Sequence, residues 1–336
     1  MTKTEEKKPR WRWGFNRYIV LALLIVSAIA AGRYAPIQPH FQVPAELLST
    51  EPLFTIPFLN APVFLSNTLT AILLVDLILF LIAGIVYFST RSGKLVTRGI
   101  TGAIEGFLEA LYNLTQTNAG KWTKTIFPFF ATIMLVVFVA NTMELIPGVD
   151  SVGLFEQQHI EDPAACNLDT IGHVGTTEIV GVSGATECSA GVVPFVRVVS
   201  TDLNFTIALA IISVVSTQII GVRALGLNYF TKFFNTRTLF NKPFLGAIDF
   251  FVGIIELLSE FIKILSFSFR LFGNVLVGTI LLFVFGSLLP VFVPSGILIF
   301  NFLVGIIQAF VFGLLTMIFM SLATVSHHPE EAGEHH

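Results

Sequence analysis

The chain has 336 residues, of which 54% are apolar and only 12% charged, with a net charge of −3. A soluble domain carries roughly 25% charged residues, so this composition excludes a disordered chain, a nucleic-acid binder and an ordinary soluble enzyme. The apolar residues come in runs too long for a soluble core helix. The expected fold is therefore an all-α, polytopic membrane protein.

A spanning helix needs about 20 mostly apolar residues. Six runs approach or exceed that length: 18–31, 62–88, 126–146, 203–222, 244–289 and 295–326. They divide the chain into an N-terminal segment over 1–61, a membrane domain over 62–326 and a polar tail over 327–336. Lys and Arg test the orientation. Fifteen of them lie in 1–17, 89–125 and 223–249, whereas the alternate loops hold only Arg33 and Arg197. The remaining two, Lys263 and Arg270, fall inside an apolar run. The positive-inside rule then puts the N-terminus, the basic loops and the C-terminus in the cytoplasm.

The first run follows a basic stretch and ends Ala-Ile-Ala-Ala. That pattern reads as a retained helix, with a cleaved signal peptide as the alternative. Residues 99–118 place Ile100, Ile104, Phe107, Leu108, Leu111 and Leu114 on one face. This reads as an amphipathic helix, lying on the membrane or on the protein surface. The loop 147–199 is external on this topology, acidic and Gly-rich, and holds both cysteines. Cys166 and Cys188 are a candidate disulfide, which an external compartment permits. The tail contains four His and reads as a solvated polar end rather than a metal site. No phosphate-binding loop, zinc spacing or nucleophile elbow occurs.

The run 244–289 has 46 residues and no proline. As one helix it would be ~69 Å long at ~1.5 Å per residue, against a hydrocarbon core ~30 Å thick. A break at Gly273-Asn274 would leave 275–289, too short to span. The expectation is one unbroken, steeply slanted helix. Glu256, Glu260, Lys263 and Arg270 fall on one stripe of it, which Ser266, Gly273 and Asn274 extend. A central Arg costs at least ~2.5–3.5 kcal/mol to insert and needs a partner or a water-filled cavity. Glu260 and Lys263 are placed to pair, but Arg270 has no acid one turn away on either side. Its partner must come from another helix or another chain. In the last run Asn301, Gly305 and Gln308 share a face, and a hairpin turn near 290–294 puts Gln308 close to the level of Arg270. Asp76 lies mid-span, Glu144 near the outer end of the third run, and Asp202 and Asn204 near the outer end of the fourth. Intramembrane acids are functional candidates by default.

Ser266 to Gly278 read SFSFRLFGNVLVG, which resembles the signature of the a subunit of F-type rotary ATP synthases, with Arg270, Leu271, Phe272, Gly273 and Asn274 in the family's order. Glu256 and Lys263 fit bacterial members. IIQAFVFGLLTMIFMSLA over 306–323 resembles the family's final helix, with Gln308 in its polar position. NTMELIPG over 141–148 and STDLNFTIAL over 200–209 resemble two further segments. The likeness spans roughly 60–323. It departs where many members carry Glu or His nine residues after the Arg, here Thr279, and His or Glu seven before the Gln, here Asn301.

The resemblance implies a non-catalytic stator subunit with no cofactor, in a bacterial inner membrane, forming two proton half-channels. The implied partners are the ring of c subunits, the b-subunit peripheral stalk, the rest of the complex and the lipid bilayer. A rotor carboxylate then becomes the partner of Arg270. Gln308, Asn274, Asn301, Glu144, Asp202 and Asn204 become half-channel candidates beside the Arg, with Glu256 and Glu260 toward the cytoplasm. The rival readings are a secondary transporter, which predicts internal repeats and paired broken helices, and a proton-pumping respiratory subunit, which predicts a chain of mid-span charges. The sequence has neither pattern.

Overall fold

A computed structural model describes residues 18–22, 25, 29, 45–57, 61–91, 99–146, 149, 152–156, 168–174, 177–182, 191–233, 243–288 and 292–325. The first apolar run lies largely outside these residues, as do Cys166, Cys188 and the polar tail. The chain forms two compact units. One comprises Met1–His40, Phe155–Val192 and Ile280–Leu298; the other, Phe41–Leu154, Val193–Thr279 and Ile299–His336, carries the helix packing described below.

That larger unit opens on a two-stranded antiparallel ribbon. Strand β1 (Leu47–Ile56) pairs with β2 (Ala61–Ser66), with Ile56 opposite Ala61 and Leu47 opposite Ser66. The second apolar run therefore does not become helical at residue 62. Pro62 lacks an N–H and tolerates a ribbon edge, and Val63, Phe64 and Leu65 favour extended backbone. Helix α1 (Asn67–Thr90) starts only where Ser66 caps it, its side chain accepting from the Leu69 N–H at 3.2 Å.

Helix α2 (Ile100–Ala119) is the amphipathic element, burying Leu111 and packing Leu108 and Leu114 on the core. Gly120, at φ 50°, lets the chain turn through Gly120–Trp122 into α3 (Thr123–Thr142). The third run ends in a tighter turn, Met143–Leu145. Helix α4 (Leu203–Leu225) is capped by Asp202, which accepts from the Asn204 N–H. Helix α5 (Pro243–Leu288) runs unbroken for 46 residues, straight through Gly273-Asn274, as expected. Helix α6 is Phe292–Ala323, with Pro294 in its first turn, where a missing N–H costs nothing.

Among the described residues, four helical stretches are long and apolar enough to cross a membrane: Asn67–Ser89, Thr101–Leu145, Leu203–Leu225 and Val293–Ala323. The membrane part is thus all-α, while the connections carry short ribbons. In the loop 147–199, β3 (Gly153–Glu156) pairs with β6 (Gly191–Pro194), and β4 (Leu168–Val174) with β5 (Thr177–Val182). These strands are absent from the sequence reading, because short Gly-interrupted segments carry little periodicity.

The core joins α3 (Ile126, Phe130, Val137), α4 (Leu209, Ile220), α5 (Phe267, Leu271) and α6 (Phe312, Met317, Met320). The Phe267 ring lies 4.9 Å from that of Phe312 and 5.9 Å from that of Phe319. This packing fixes the register of α5 on α6, and with it the levels of their polar residues.

Candidate functional site

Helices α5 and α6 meet antiparallel. Lys263 sits over the Phe319 ring, Phe267 meets Phe312, Asn274 meets Gln308, and Gly278 faces Asn301. The expected neighbourhood of Gln308 and the Arg270 stripe is realised through Asn274, one turn from Arg270. Its Nδ2 donates to Gln308 Oε1 at 2.9 Å.

Asn301 Nδ2 donates to Glu144 Oε1 at 2.8 Å, which ties α6 to the turn after α3. Ser200 Oγ donates to Asn141 Oδ1 at 2.7 Å. Asn141, Glu144, Asn274, Asn301 and Gln308, with Val275, Val304 and Gly305, line a narrow cleft. Two glycines make it possible. A Cβ on Gly278 would stand 2.7 Å from the Asn301 amide, and one on Gly305 would stand 3.1 Å from Asn141 Cβ. Asn141 and Gln308 are 5% and 4% exposed, yet Asn141 Nδ2 and Gln308 Nε2 find no acceptor among the described residues. Unmet donors of this kind cost about 1–3 kcal/mol each, and water is their ordinary partner.

Arg270 is half-buried. Among the described residues its guanidinium meets only Ser266, Nη2 donating to Oγ at 3.3 Å, and no carboxylate pairs with it. Toward the start of α5 a second polar group follows. Glu260 is buried, with Oε1 accepting from Lys263 Nζ at 2.9 Å and Oε2 from Gln218 Nε2 at 3.0 Å. Gln218 Oε1 accepts in turn from the Tyr229 hydroxyl at 2.7 Å. Tyr229 lies in the turn Gly226–Lys232 beyond α4. Burial, and then the charges of Glu260 and Glu256, push its phenol up to about 12. Glu256 is half-buried beside this group.

Two polar groups therefore flank the Arg along one hairpin. At ~1.5 Å per residue, Asn274 lies ~6 Å to one side of Arg270 and Glu260 ~15 Å to the other. The remaining candidates stand apart from the cleft lining. Asp202 is buried, but both oxygens have structural tasks: Oδ1 caps α4, and Oδ2 accepts from Thr68 Oγ1 at 3.0 Å. Asn204 is exposed on the first turn of α4, and Asp76 is exposed on α1. Asn141, Gln218 and Tyr229 were not singled out from the sequence. Asn141 stands three residues before Glu144, one helical turn, and that spacing was its available signal. Gln218 and Tyr229 join Glu260 only through the packing of α4 on α5.

Residues 69–321 match the family model described as ATP synthase A chain. ATP synthase subunit a of Campylobacter jejuni subsp. jejuni serotype O:23/36 (strain 81-176) is 27% identical over 234 residues, covering 68% of this chain and 78% of the relative. ATP synthase subunit a of Campylobacter concisus (strain 13826) is 27% identical over 223 residues, covering 66% of this chain and 73% of the relative. The match spans α1 to α6 and every polar group of the cleft. The chain belongs to the ATP synthase A chain family, the non-catalytic membrane-sector subunits of the proton-transporting ATP synthase.

Proposed function

We propose that this chain is the stator that couples proton flow to ring rotation, with Arg270 separating two half-channels. The observation that carries the reading is the placement of Arg270, half-buried, without a carboxylate among the described residues, and between two polar groups on one hairpin. A guanidinium stays charged at every working pH, so it needs an anion from outside the chain. A carboxylate on the rotor ring supplies that anion.

The basic loops lie at the ends of α1 and α4 and at the starts of α3 and α5, so the Glu260 end is cytoplasmic and the Glu144 end external. Protons enter by the cleft at Glu144, Asn301, Asn141 and Gln308 and reach a rotor carboxylate near Asn274. Glu144 supplies the ionisable group where Thr279 and Asn301 replace the acids or histidines of other members. The two buried amide donors in the cleft support a hydrated path. Once neutral, the rotor carboxyl can turn through lipid, which a carboxylate does only at high cost. It discharges near Glu256 on the far side. Arg270 pairs with the emptied carboxylate and blocks a direct leak between the two paths. Each elementary charge crossing is worth ~2.3 kcal/mol per 100 mV.

Replacing Arg270 with Ala in membranes carrying the complete complex tests this. ATP-driven proton pumping is expected to disappear and passive proton leak to rise. Normal pumping in the variant overturns the reading.

A further inference from the structure

Asn141 on α3 and Gln308 on α6 are buried in the wall of the cleft, 5% and 4% exposed. A neighbour orients each amide. The Ser200 hydroxyl donates to Asn141 Oδ1 at 2.7 Å, and Asn274 Nδ2 donates to Gln308 Oε1 at 2.9 Å. Both carbonyl oxygens are thus engaged. The nitrogen ends, Asn141 Nδ2 and Gln308 Nε2, are left without an acceptor among the described residues. The cleft they line is small, with a cavity volume of about 10 Å³. One water needs roughly 10–15 Å³. Gly305 sets the width, since a Cβ there would stand 3.1 Å from Asn141 Cβ.

Buried donors call for an acceptor oxygen, and one water offers two lone pairs. A water held this way turns its oxygen to the two amides and its hydrogens away from them. A sodium ion needs the opposite lining. Hard cations are held by several oxygens, from carboxylates, carbonyls or water. A pore selects by its width and by which ends of its polar groups line it. Here the positive ends of two amide dipoles face a space for one water. A hydrated sodium ion is too large for that space, and a bare one lacks oxygens. Glu144 is the one carboxylate in the lining, and Asn301 already engages its Oε1. A proton needs neither room nor ligands, because it crosses by exchange.

We propose that the cleft is the ion filter of the outer path, with Asn141 and Gln308 as its specificity-determining residues. They hold one water that relays protons, and they leave a sodium ion without a site. In each transfer the water gives a proton to the rotor carboxylate and takes one from the Glu144 carboxyl. Glu144 ends as a carboxylate, the rotor group as a carboxyl, and the water is unchanged. This rests on the proposed entry of protons through the cleft.

The test uses the complete complex in liposomes, with its catalytic sector outward, so that the lumen stands for the external side. Proton-driven ATP synthesis is measured with sodium chloride or choline chloride in the lumen at equal ionic strength. The unmodified complex is expected to run at the same rate in both. Asn141→Asp and Gln308→Glu each replace an amide nitrogen facing the cleft by oxygen. In either variant luminal sodium is expected to slow synthesis about tenfold relative to choline, the size of one charge-assisted contact. A more acid lumen is expected to restore the rate. Cryo-electron microscopy of the unmodified complex is expected to show one water within hydrogen-bond distance of both amides. Sodium inhibition of the unmodified complex, absence of that water, or equal rates in sodium and choline for both variants overturn the proposal. Should neither variant make ATP, the water density decides. Arg270→Ala judges the rotary reading separately. Normal pumping in that variant sinks both readings, whereas lost pumping beside a sodium-inhibited unmodified complex sinks the filter alone.

Discussion

Glu144 and Asp202 are both acids at one end of an apolar helix, and their hydrogen-bond partners differ. Asp202 spends one oxygen on the N-cap of α4 and the other on Thr68. Asn is as good a cap as Asp. Asp202→Asn is therefore expected to leave proton-driven ATP synthesis near its normal rate, whereas Asp202→Ala lowers stability by about 2 kcal/mol, the sum of a cap and a buried hydrogen bond. Thermal unfolding in detergent separates the two variants. A sharp loss of synthesis in Asp202→Asn would instead mark Asp202 as an ionisable channel group. Glu144 faces the amide of Asn301 in the cleft. Glu144→Gln keeps the shape and removes the charge, and is expected to reduce proton-driven synthesis at least about tenfold, within the range for losing a positioned proton-transfer group. Tyr229 makes a pH prediction. Its phenol is held protonated, up to about 12, so its contribution to stability is complete below the ordinary value near 10 and is lost as pH rises toward 12. The difference in melting temperature between the protein and Tyr229→Phe is expected to shrink across that interval.

Among the elements, the α5–α6 hairpin carries most of the candidate site, and much of it was legible in the sequence. Charges spaced by four, three and seven residues put Glu256, Glu260, Lys263 and Arg270 on one stripe of α5, and the hairpin level of Gln308 followed from where Pro290 and Pro294 break the run. The start of α1 was not legible. A run of apolar residues from 62 onward reads the same for a strand as for a helix, and only the Ser66 cap decides between them. Nor was the cleft. It depends on Gly278 and Gly305 bringing three helices close, which is a matter of packing and not of periodicity. Gly278→Val measures that closeness. Its side chain collides with Asn301, so overpacking is expected to cost about 1–3 kcal/mol, seen as a lower unfolding temperature together with slower proton-driven synthesis.

For the whole molecule, the distribution of Lys and Arg is the strongest sequence signal, fifteen against two across alternate connections. It predicts a labelling pattern. Single cysteines introduced at Lys94 and Asn235, in a chain whose Cys166 and Cys188 are replaced by Ser, are expected to react with a membrane-impermeant maleimide from the cytoplasmic side. The native Cys166 and Cys188, in the presence of a reductant, are expected to react from the opposite side. Reaction of both sets from one side would sink the topology. What the sequence left open at this scale is the partner of Arg270, and no periodicity within one chain can name the group that completes it.

The unbroken backbone of α5 has a mechanical side. A helix that passes through Gly273-Asn274 without a hinge has no soft point next to Arg270. If Arg270 faces the ring as proposed, a push on its guanidinium would spread along the rod and into the aromatic stack of Phe267, Phe312 and Phe319. A turning ring exerts an equal and opposite thrust on whatever it turns against. A compliant arm would absorb that thrust as bending and dissipate it as heat between steps. A stiff one would return it to the rotor, so on the proposed reading the stroke of each proton would be delivered as torque.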